Sequence, residues 1–228
     1  MVAVSVAVVR FGGSNCDRDA VRAVEHLGGD ATLVWYEDGL PSDASGVVLP
    51  GGFSYGDYLR AGAMAARTPI MEEVRAAAAD GTPVLGVCNG AQICAEAGLV
   101  PGAFTVNESA RFQCEHVHLR VENADTPVTS SYDVGDVVRL PIAHGEGRYE
   151  VEDDVLETLE AENRVLFRYC DEDGDPTDAA NPNGSRSNVA GVVGERENVA
   201  VLMPHPERAT LPDVGGTDGQ GVLDGLLA

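Results

Sequence analysis

The sequence predicts an α/β protein with a doubly wound, mostly parallel sheet and flanking helices. It opens on a nearly unbroken run of β-branched and small apolar residues at 2–9, which is typical of a strand buried on both faces of a parallel sheet. Apolar runs and helix patterns then alternate through residues 10–97, and this alternation calls for right-handed crossovers. We therefore expect ligands at the carboxyl ends of the strands.

The elements of this first part follow from spacing and from chain-breaking residues. Apolar residues recur at helical spacing from Ala20 to Leu27, and Gly28-Gly29 ends that helix. The Ala-rich helix that follows later ends at Asp80-Gly81. The predicted strands are 2–10, 31–36, 46–49 and 83–87, and the predicted helices are 17–27, 70–79 and 91–97.

The second part of the chain has a mixed pattern. Its predicted strands are 111–121, 136–142, 164–169, 189–193 and 199–203, with one helix at 151–162. The Asp-, Asn-, Pro- and Gly-rich stretch at 171–188 is predicted to be a loop. Because neither a repeat nor a linker is visible, we expect a single domain over residues 1–228.

Charge and composition exclude several functions. The 228 residues include 15 basic and 37 acidic ones, for a net charge of −22, and every basic residue is Arg. Such a field opposes binding to nucleic acid or anionic lipid, and its even spread along the chain favours a surface adapted to concentrated salt. Without lysine, the chain has neither a Schiff-base lysine nor a P-loop, so ATP chemistry would need another chain.

The five cysteines predict reduced thiols rather than a scaffold. They are odd in number, widely spaced and without a CxxC pair, which favours neither a disulfide framework nor a zinc site. No apolar stretch is long enough to span a membrane, and the apolar start lacks a basic leader. We therefore expect a soluble cytoplasmic protein without a membrane partner.

Cys88 stands between a predicted buried strand and a predicted helix, in the segment GVCNGAQ at 86–92. This is the pattern of a nucleophile elbow with sulfur in place of oxygen. Gly86 and Gly90 suit it, because a Cβ beside the strained turn would collide with neighbouring backbone. The N-terminus of the helix favours the thiolate. The elbow alone leaves open that Cys88 is a small buried core residue.

A candidate base follows the last predicted strand. In the segment MPHPER at 203–208, Glu207 comes two residues after His205, and the period of an extended chain puts both side chains on one side. A thiol nucleophile needs an imidazole base, and a carboxylate on the far nitrogen orients that base. By itself the pair is also compatible with a surface histidine and a first-turn acid.

The segment LPGGFS at 49–54 is a third strand end and opens into glycines. Its Gly52 N–H, together with the Asn89 N–H, can stabilise an oxyanion formed beside Cys88. Gly-Gly turns are common, so this segment alone is weak evidence.

The order of these elements resembles that of the class I glutamine amidotransferases. Within them, the chain resembles the glutaminase subunits of phosphoribosylformylglycinamidine synthases over nearly its whole length. Beyond the 203–208 segment, the segments that carry this resemblance are GSNCDRD at 13–19, GGFSYGDYLRAG at 51–62, AHGEGRY at 143–149 and NPNGS at 181–185. Asn89 fits this branch, since sister amidotransferases commonly have a bulky apolar residue after the nucleophile. Gly12 departs from the family's usual Pro.

The resemblance implies a mechanism. Cys88 would attack the side-chain amide of glutamine, His205 would pass a proton to the departing ammonia and then activate water, and Glu207 would orient His205. The two backbone N–H groups named above would bind the oxyanion, and Gln92 would help to position glutamine. No metal is expected in the site.

The resemblance also implies partners. A large synthetase subunit would bind ATP and Mg²⁺, receive the ammonia, and convert formylglycinamide ribonucleotide to formylglycinamidine ribonucleotide. A small third subunit completes such enzymes, and this chain itself would need no cofactor. Because a free glutaminase wastes glutamine, we predict low activity for the isolated chain.

Some residues in the resembling segments have more than one interpretation. His144 would lie near the glutamine pocket or serve a structural turn. Cys16 has neither an elbow nor a histidine nearby in the sequence, so we expect a role in loop structure or subunit contact. The residues that follow the 49–54 segment, the predicted oxyanion loop, either face the synthetase subunit or cap and pack a helix. They are Tyr55, Asp57, Tyr58 and Arg60.

Three other functions remain to be separated from this one. The first is an amidotransferase subunit of another pathway. The second is a Cys-His-Glu peptidase or glyoxalase-like protein, which would share the elbow but not Gln92 or the quoted segments. The third is a regulatory domain in which Cys88 senses oxidants, and there His205 and Glu207 would be dispensable.

Overall fold

The structure is a computed structural model that describes residues 4–227. Within that range, nine strands form one sheet and two short strands form another. The strands are β1 (Ser5–Arg10), β2 (Asp30–Trp35), β3 (Gly46–Leu49), β4 (Val84–Val87), β5 (Ala103–Thr105), β6 (Gln113–Val121), β7 (Val137–His144), β8 (Arg148–Glu150), β9 (Val165–Cys170), β10 (Val189–Val193) and β11 (Val199–Leu202). The helices are α1 (Asp17–His26), α2 (Ile70–Ala79), α3 (Asn89–Glu96), α4 (Asp153–Ala161) and α5 (Gln220–Asp224).

The large sheet has two halves with different strand directions. Its order is β2-β1-β3-β4-β11-β10-β9-β6-β7. The first five strands run parallel to one another, and the last four join by antiparallel pairing. The predicted doubly wound α/β class is confirmed, and the mixed pattern of the second part corresponds to the antiparallel half.

Most elements lie where the sequence places them. β3 and α2 have the predicted bounds, and β1 begins at Ser5, while Val2 and Ala3 of that predicted strand lie outside the described residues. The sequence analysis missed β5, β8 and α5. The two strands have three residues each, too few to show a period, and α5 lies in a glycine-rich tail.

The core fixes the ends of the strands in the parallel half. All four residues of β3 and of β4 are buried, and α3 packs on both strands and on β11. Burying one Val or Leu side chain contributes about 1.5–3 kcal/mol, so the ends of these strands are firmly held. Among residues 4–227, no helix is long and apolar enough to cross a membrane.

The antiparallel half curves back over the parallel one. β7 lies at the far edge of the sheet order, yet the carbonyl of Pro141 on β7 accepts the N–H of His205, just past β11, at 2.8 Å. The same edge reaches the end of β4, since Cys88 Sγ lies 3.8 Å from the carbonyl oxygen of Ala143. Residues of both halves therefore line the site at which β4 and β11 end.

Candidate active site

Cys88 occupies a strained turn between β4 and α3. Its φ of 52° and ψ of −106° lie in a region that side-chain-bearing residues rarely adopt, and such a conformation costs on the order of 1–3 kcal/mol. Neighbouring hydrogen bonds hold it: the Cys88 N–H donates to Leu202 at 2.9 Å, and the Cys88 carbonyl accepts from Ala91 at 3.0 Å. The predicted elbow geometry is present.

Two glycines allow the elbow to form. A Cβ on Gly90 would lie 1.8 Å from the carbonyl oxygen of Leu49, and a Cβ on Gly86 would lie 2.8 Å from the carbonyl oxygen of Gly90. Real Cβ atoms do not approach backbone so closely. The predicted need for glycine beside the turn is thus met at both positions, and the close approach of α3 to β3 and β4 depends on them.

His205 and Glu207 form a buried pair beside the elbow. β11 runs parallel to β4 with Leu202 opposite Val87, so the chain leaves β11 next to Cys88. His205 Nδ1 and Glu207 Oε1 lie 2.6 Å apart, and both side chains are buried. The contact is the predicted one, but the reason given for it was wrong, because Glu207 lies in a 3₁₀ turn at 206–208 rather than in an extended strand.

The electrostatics of the pair favour a protonated imidazole. Burial by itself lowers the pKa of His205, but the charge of Glu207 opposes it, and the thiols of Cys88 and Cys16 act in the same direction as Glu207. The net result is a pKa well above the ordinary value. An imidazolium held beside a thiol suits transfer of a proton to a leaving group.

The thiol of Cys88 is turned toward β7. Its Sγ–H donates to the carbonyl of Ala143 at 3.8 Å, and among residues 4–227 the buried Nε2 atom of His205 has no hydrogen-bond partner. Such bonds between nucleophile and base are often loose in the absence of substrate. The nucleophile and the base are thus adjacent, but their hydrogen bond is not closed.

The predicted oxyanion loop is held by backbone hydrogen bonds to the first loop of the chain. Phe53 N–H donates to Gly13 at 3.0 Å and Asn15 N–H donates to Gly51 at 3.2 Å, which leaves the Gly52 N–H outside this pairing. Gly52 has a φ of 153°, and a Cβ there would meet the Ser14 backbone at 2.7 Å. Within the described residues, neither the Gly52 N–H nor the N–H of Asn89 has an acceptor, so both are free for a ligand.

The side chains of Asn89 and Gln92 join α3 to two loops. Asn89 Oδ1 accepts the N–H of Ser54 at 3.1 Å, and Asn89 Nδ2 donates to Gln92 Oε1 at 2.9 Å. Gln92 Nε2 then donates to the carbonyl of Glu146 at 2.6 Å. The sequence analysis assigned Asn89 only its backbone N–H, and its side-chain role could not be read from a local motif because Glu146 is far away in the sequence.

The residues after the oxyanion loop divide between the two interpretations. The Tyr55 ring packs edge-on against Tyr36 with centroids 5.9 Å apart, and Arg60 pairs with Glu96 at the end of α3 at 2.5 Å. Tyr58, in contrast, is 75% exposed. Ring packing therefore accounts for Tyr55 and an ion pair to α3 accounts for Arg60, whereas Tyr58 is free to face a partner.

Asp57 belongs to the same loop and has an unusual titration. Its Oδ1 accepts from Asn89 Nδ2 at 3.4 Å. Burial, followed by the nearby charge of Glu146, raises the pKa of Asp57 to about 6, although the bond from Asn89 acts against them. The carboxylate is thus held in a place that disfavours its charge.

His144 lies near the site but is neutral. Burial, followed by the charge of His205, lowers the pKa of His144 to about 4. Its Nδ1 lies 3.1 Å from Asn107 Oδ1, and a Cβ on Gly147 would collide with its ring. These contacts describe a residue that shapes a turn, and its low pKa makes it a poor proton shuttle.

Cys16 lies beside the predicted catalytic pair, although its local segment contains no histidine. Its Sγ lies 3.1 Å from Nη2 of Arg208 and, with ligand atoms of His205 and Glu207, belongs to a group whose members are all within 4.8 Å of one another. Burial raises the pKa of the Cys16 thiol. The histidine that the sequence did not show near Cys16 is provided by the fold.

Comparisons with known proteins agree with this geometry. Residues 3–214 match the model of the CobB/CobQ-like glutamine amidotransferase domain. The chain is 71% identical to the phosphoribosylformylglycinamidine synthase subunit PurQ of Natronomonas pharaonis, over 97% of this chain and 99% of that protein. It is 72% identical to the subunit of the same name from Halobacterium salinarum, over 96% and 98% of the two chains.

A solved structure gives the same answer. A chain of the PurLQS structure from Thermotoga maritima superposes with a TM-score of 0.88 at 45% identity, covering 99% of this chain and 98% of that one. These matches agree with the resemblance drawn from the quoted segments and with the strand order of the fold. The chain belongs to the glutamine amidotransferase family and, within it, to the PurQ subunits of phosphoribosylformylglycinamidine synthase.

Proposed function

We propose that this chain, acting as one amidotransferase domain, hydrolyses glutamine with Cys88 as nucleophile, His205 as proton shuttle and Glu207 as orienting carboxylate. It supplies the ammonia to a phosphoribosylformylglycinamidine synthase, the enzyme of which its relatives are named as subunits. One observation carries the proposal: the elbow thiol and the buried pair, whose Nδ1 and Oε1 atoms are 2.6 Å apart, stand at the ends of neighbouring parallel strands.

The chemistry proceeds in two halves. The Cys88 thiolate forms a C–S bond to the side-chain carbonyl carbon of glutamine, and the C–N bond breaks as the His205 imidazolium protonates the leaving nitrogen, which departs as ammonia. Water then attacks the thioester while neutral His205 accepts its proton, the C–S bond breaks, and glutamate leaves. Glu207 keeps Nδ1 occupied so that Nε2 faces the reaction.

The surroundings support each half. The raised pKa of His205 keeps a proton available for the leaving group. The free N–H groups of Gly52 and Asn89 stabilise the tetrahedral oxyanion, and one such donor is worth roughly 10²-fold in rate or more. Gln92 borders the same space and positions glutamine once its bond to the Glu146 carbonyl is exchanged for one to the substrate.

The mouth of the site has an apolar rim suited to a protein partner. In a chain with a net charge of −22, Leu59 is 93% exposed and Tyr58 is exposed beside it. Phe53, next to the oxyanion loop, and Phe112 are also exposed, with ring centroids 6.4 Å apart. Exposed apolar patches of this kind mark interaction sites, and we assign the rim to the synthetase subunit.

The rest of the assembly follows from the chemistry. The large synthetase subunit binds ATP and Mg²⁺ and consumes the ammonia, and a small third subunit completes the enzyme. The lack of lysine in this chain agrees with an ATP site elsewhere. Because ATP, ribonucleotides and reduced thiols meet in the cytoplasm, we place the complex there. The open hydrogen bond between Cys88 and His205 agrees with low activity of the isolated chain.

The test is synthesis of formylglycinamidine ribonucleotide by the reconstituted complex in molar KCl, driven either by glutamine or by ammonium. We expect Cys88→Ala to abolish the glutamine-driven rate, because it removes the elbow thiol that forms the thioester, and to leave the ammonium-driven rate unchanged. Cys114→Ala, which changes an exposed thiol, is the matched control and should retain both rates. Glutamine-driven synthesis by Cys88→Ala would show that the nucleophile is misassigned.

A further inference from the structure

A second group of chemically active side chains overlaps the catalytic pair. Cys16, His205 and Glu207 are all buried, and one Sγ, one imidazole nitrogen and one carboxylate oxygen lie within 4.8 Å of one another. The proposed hydrolysis uses His205 and Glu207 but gives the thiol of Cys16 no task. The three residues come from opposite ends of the chain, so no spacing in the sequence reveals the group.

Two atoms of this group have no hydrogen-bond partner. Among residues 4–227, the buried atoms His205 Nε2 and Glu207 Oε2 are both unpaired, and the two side chains are each only 2% exposed. A buried polar atom left unpaired is energetically costly, and such atoms are rare in folded proteins. Both are of types that donate electron pairs to a metal ion.

The backbone leaves room for these side chains to approach one another. Cys16 is anchored by its N–H, which donates to the carbonyl of Gly51 at 3.1 Å. A Cβ on Gly51 would lie 2.7 Å from His205 Cε1 and 2.9 Å from Cys16 Sγ, so Gly51 borders both side chains. Arg208 Nη2, 3.1 Å from Cys16 Sγ, can continue to donate to a metal-bound thiolate.

The donor set selects the class of metal. Thiolate, imidazole and carboxylate are the ligands of Zn²⁺, at bond lengths of about 2.0–2.3 Å, and thiolate disfavours Mg²⁺ or Ca²⁺. Ligand atoms around a tetrahedral Zn²⁺ lie roughly 3–4 Å apart by the same bond lengths. Side-chain movements of about an ångström would therefore bring Cys16, His205 and Glu207 to a common ion, with water in the fourth position.

We propose that Cys16, His205 and Glu207 form a binding site for a divalent ion of the zinc class, and that the bound ion inhibits glutamine hydrolysis. The inhibition rests on the proposed function, because an ion on His205 removes the proton shuttle. Binding of the ion does not rest on it. The bound ion lowers the rate of glutamine hydrolysis, and it is not a cofactor of the reaction.

Binding is tested without turnover in the Cys88→Ala background, where Cys16 is the thiol next to His205. The probe is Co²⁺, whose thiolate charge-transfer absorption reports a Co–S bond. We expect this absorption at one equivalent of Co²⁺, and its loss in Cys88→Ala/Cys16→Ser. Cys88→Ala/Cys114→Ser, which removes an exposed thiol, should keep it. Absence of the absorption in Cys88→Ala, which needs no Cys16 variant to fold, overturns the proposal.

Inhibition is tested with Zn²⁺ on the active complex. Each protein is compared with its own zinc-free glutamine-driven rate, so that any effect of Cys16→Ser on catalysis cancels. We expect the half-inhibitory Zn²⁺ concentration to rise at least about 10-fold in Cys16→Ser, since one ligand is lost. Equal sensitivity of the two proteins would place the ion on Cys88 and His205 and overturn the site. Absence of glutamine-driven activity in the zinc-free wild-type complex would instead contradict the proposed function.

Discussion

The two halves of the sheet contribute differently to the site. The parallel half supplies the groups assigned to chemistry: Cys88 at the end of β4, Gly52 after β3, and the His205–Glu207 pair after β11. The antiparallel half supplies carbonyl groups and His144 at the end of β7, together with the loop before β6, whose Asn107 bonds to His144. The difference teaches that strand ends in a parallel sheet collect reactive groups, whereas the curved antiparallel edge fixes their surroundings.

The largest effect is expected from a break in the parallel half. Gly90→Ala places a Cβ 1.8 Å from the carbonyl oxygen of Leu49, so α3 must move away from β3 and carry the elbow with it. We expect loss of at least ~3 kcal/mol of the free energy of unfolding, or no folded protein, measured by denaturant unfolding in molar KCl. Gly12→Ala, with open space around its Cβ, should change stability by less than about 1 kcal/mol. Equal stabilities would contradict the packing account.

The next largest effect is expected from a change that alters the chemistry of the parallel half and leaves its packing intact. Glu207→Gln keeps the shape of the side chain but removes the charge that raises the pKa of His205. We expect the glutamine-driven kcat to fall by about 10²-fold or more, and the pKa of His205, read from the pH profile of the residual activity, to move down. Glu157→Gln, on the exposed face of α4, should leave both unchanged. A profile that does not move would remove Glu207 from the pair.

A matching change in the antiparallel half should affect stability more than chemistry. Asn107 Nδ2 donates to the carbonyls of Arg111 and His144 at 2.9 Å each, and its Oδ1 accepts the N–H of Gly147 at 2.9 Å. Asn107→Asp keeps the acceptor and loses both donors, so we expect a loss of about 2–4 kcal/mol in the free energy of unfolding. The ammonium-driven rate of the folded complex should not change.

Asn107→Asp is informative because the free energy of unfolding and the glutamine-driven kcat are expected to respond differently. A loss of glutamine-driven kcat as large as that of Glu207→Gln, with unchanged stability, would assign the antiparallel half a direct part in the chemistry. The converse result, lower stability with a mainly altered KM for glutamine, would fit the role of a support. Denaturant unfolding and steady-state kinetics on the same preparation decide between them.

The same division explains how much of the protein the sequence could predict. The elbow, the His-x-Glu segment and the oxyanion loop are local patterns, each read within seven residues or fewer, and the order of the strands brings them together. The link from Gln92 to Glu146 and the approach of Cys16 to His205 are tertiary contacts between distant segments. Such contacts have no local period, because they arise from the curvature of the antiparallel half and from loop packing.

The smallest effect is expected at Asp57, where the two halves meet through the charge of Glu146. Burial and that charge raise the pKa of Asp57 to about 6 from 3.8. For an acid with a raised folded-state pKa, the stability contribution is present below the unfolded value and is lost as the pH rises through the folded one. The free energy of unfolding should therefore fall between about pH 4 and pH 6 on account of this group.

Asp57→Asn removes this titration and keeps an oxygen that can accept the bond from Asn89. Because Asp57 is only partly buried, solvent screening reduces the effect, and we expect the variant to be more stable by ~1 kcal/mol above pH 7 and to lose the slope between about pH 4 and pH 6. Asp38→Asn, at an exposed carboxylate, is the control and should keep the slope. If Asp57→Asn keeps it too, Asp57 is not the group that causes the slope, and neither burial nor Glu146 raises its pKa.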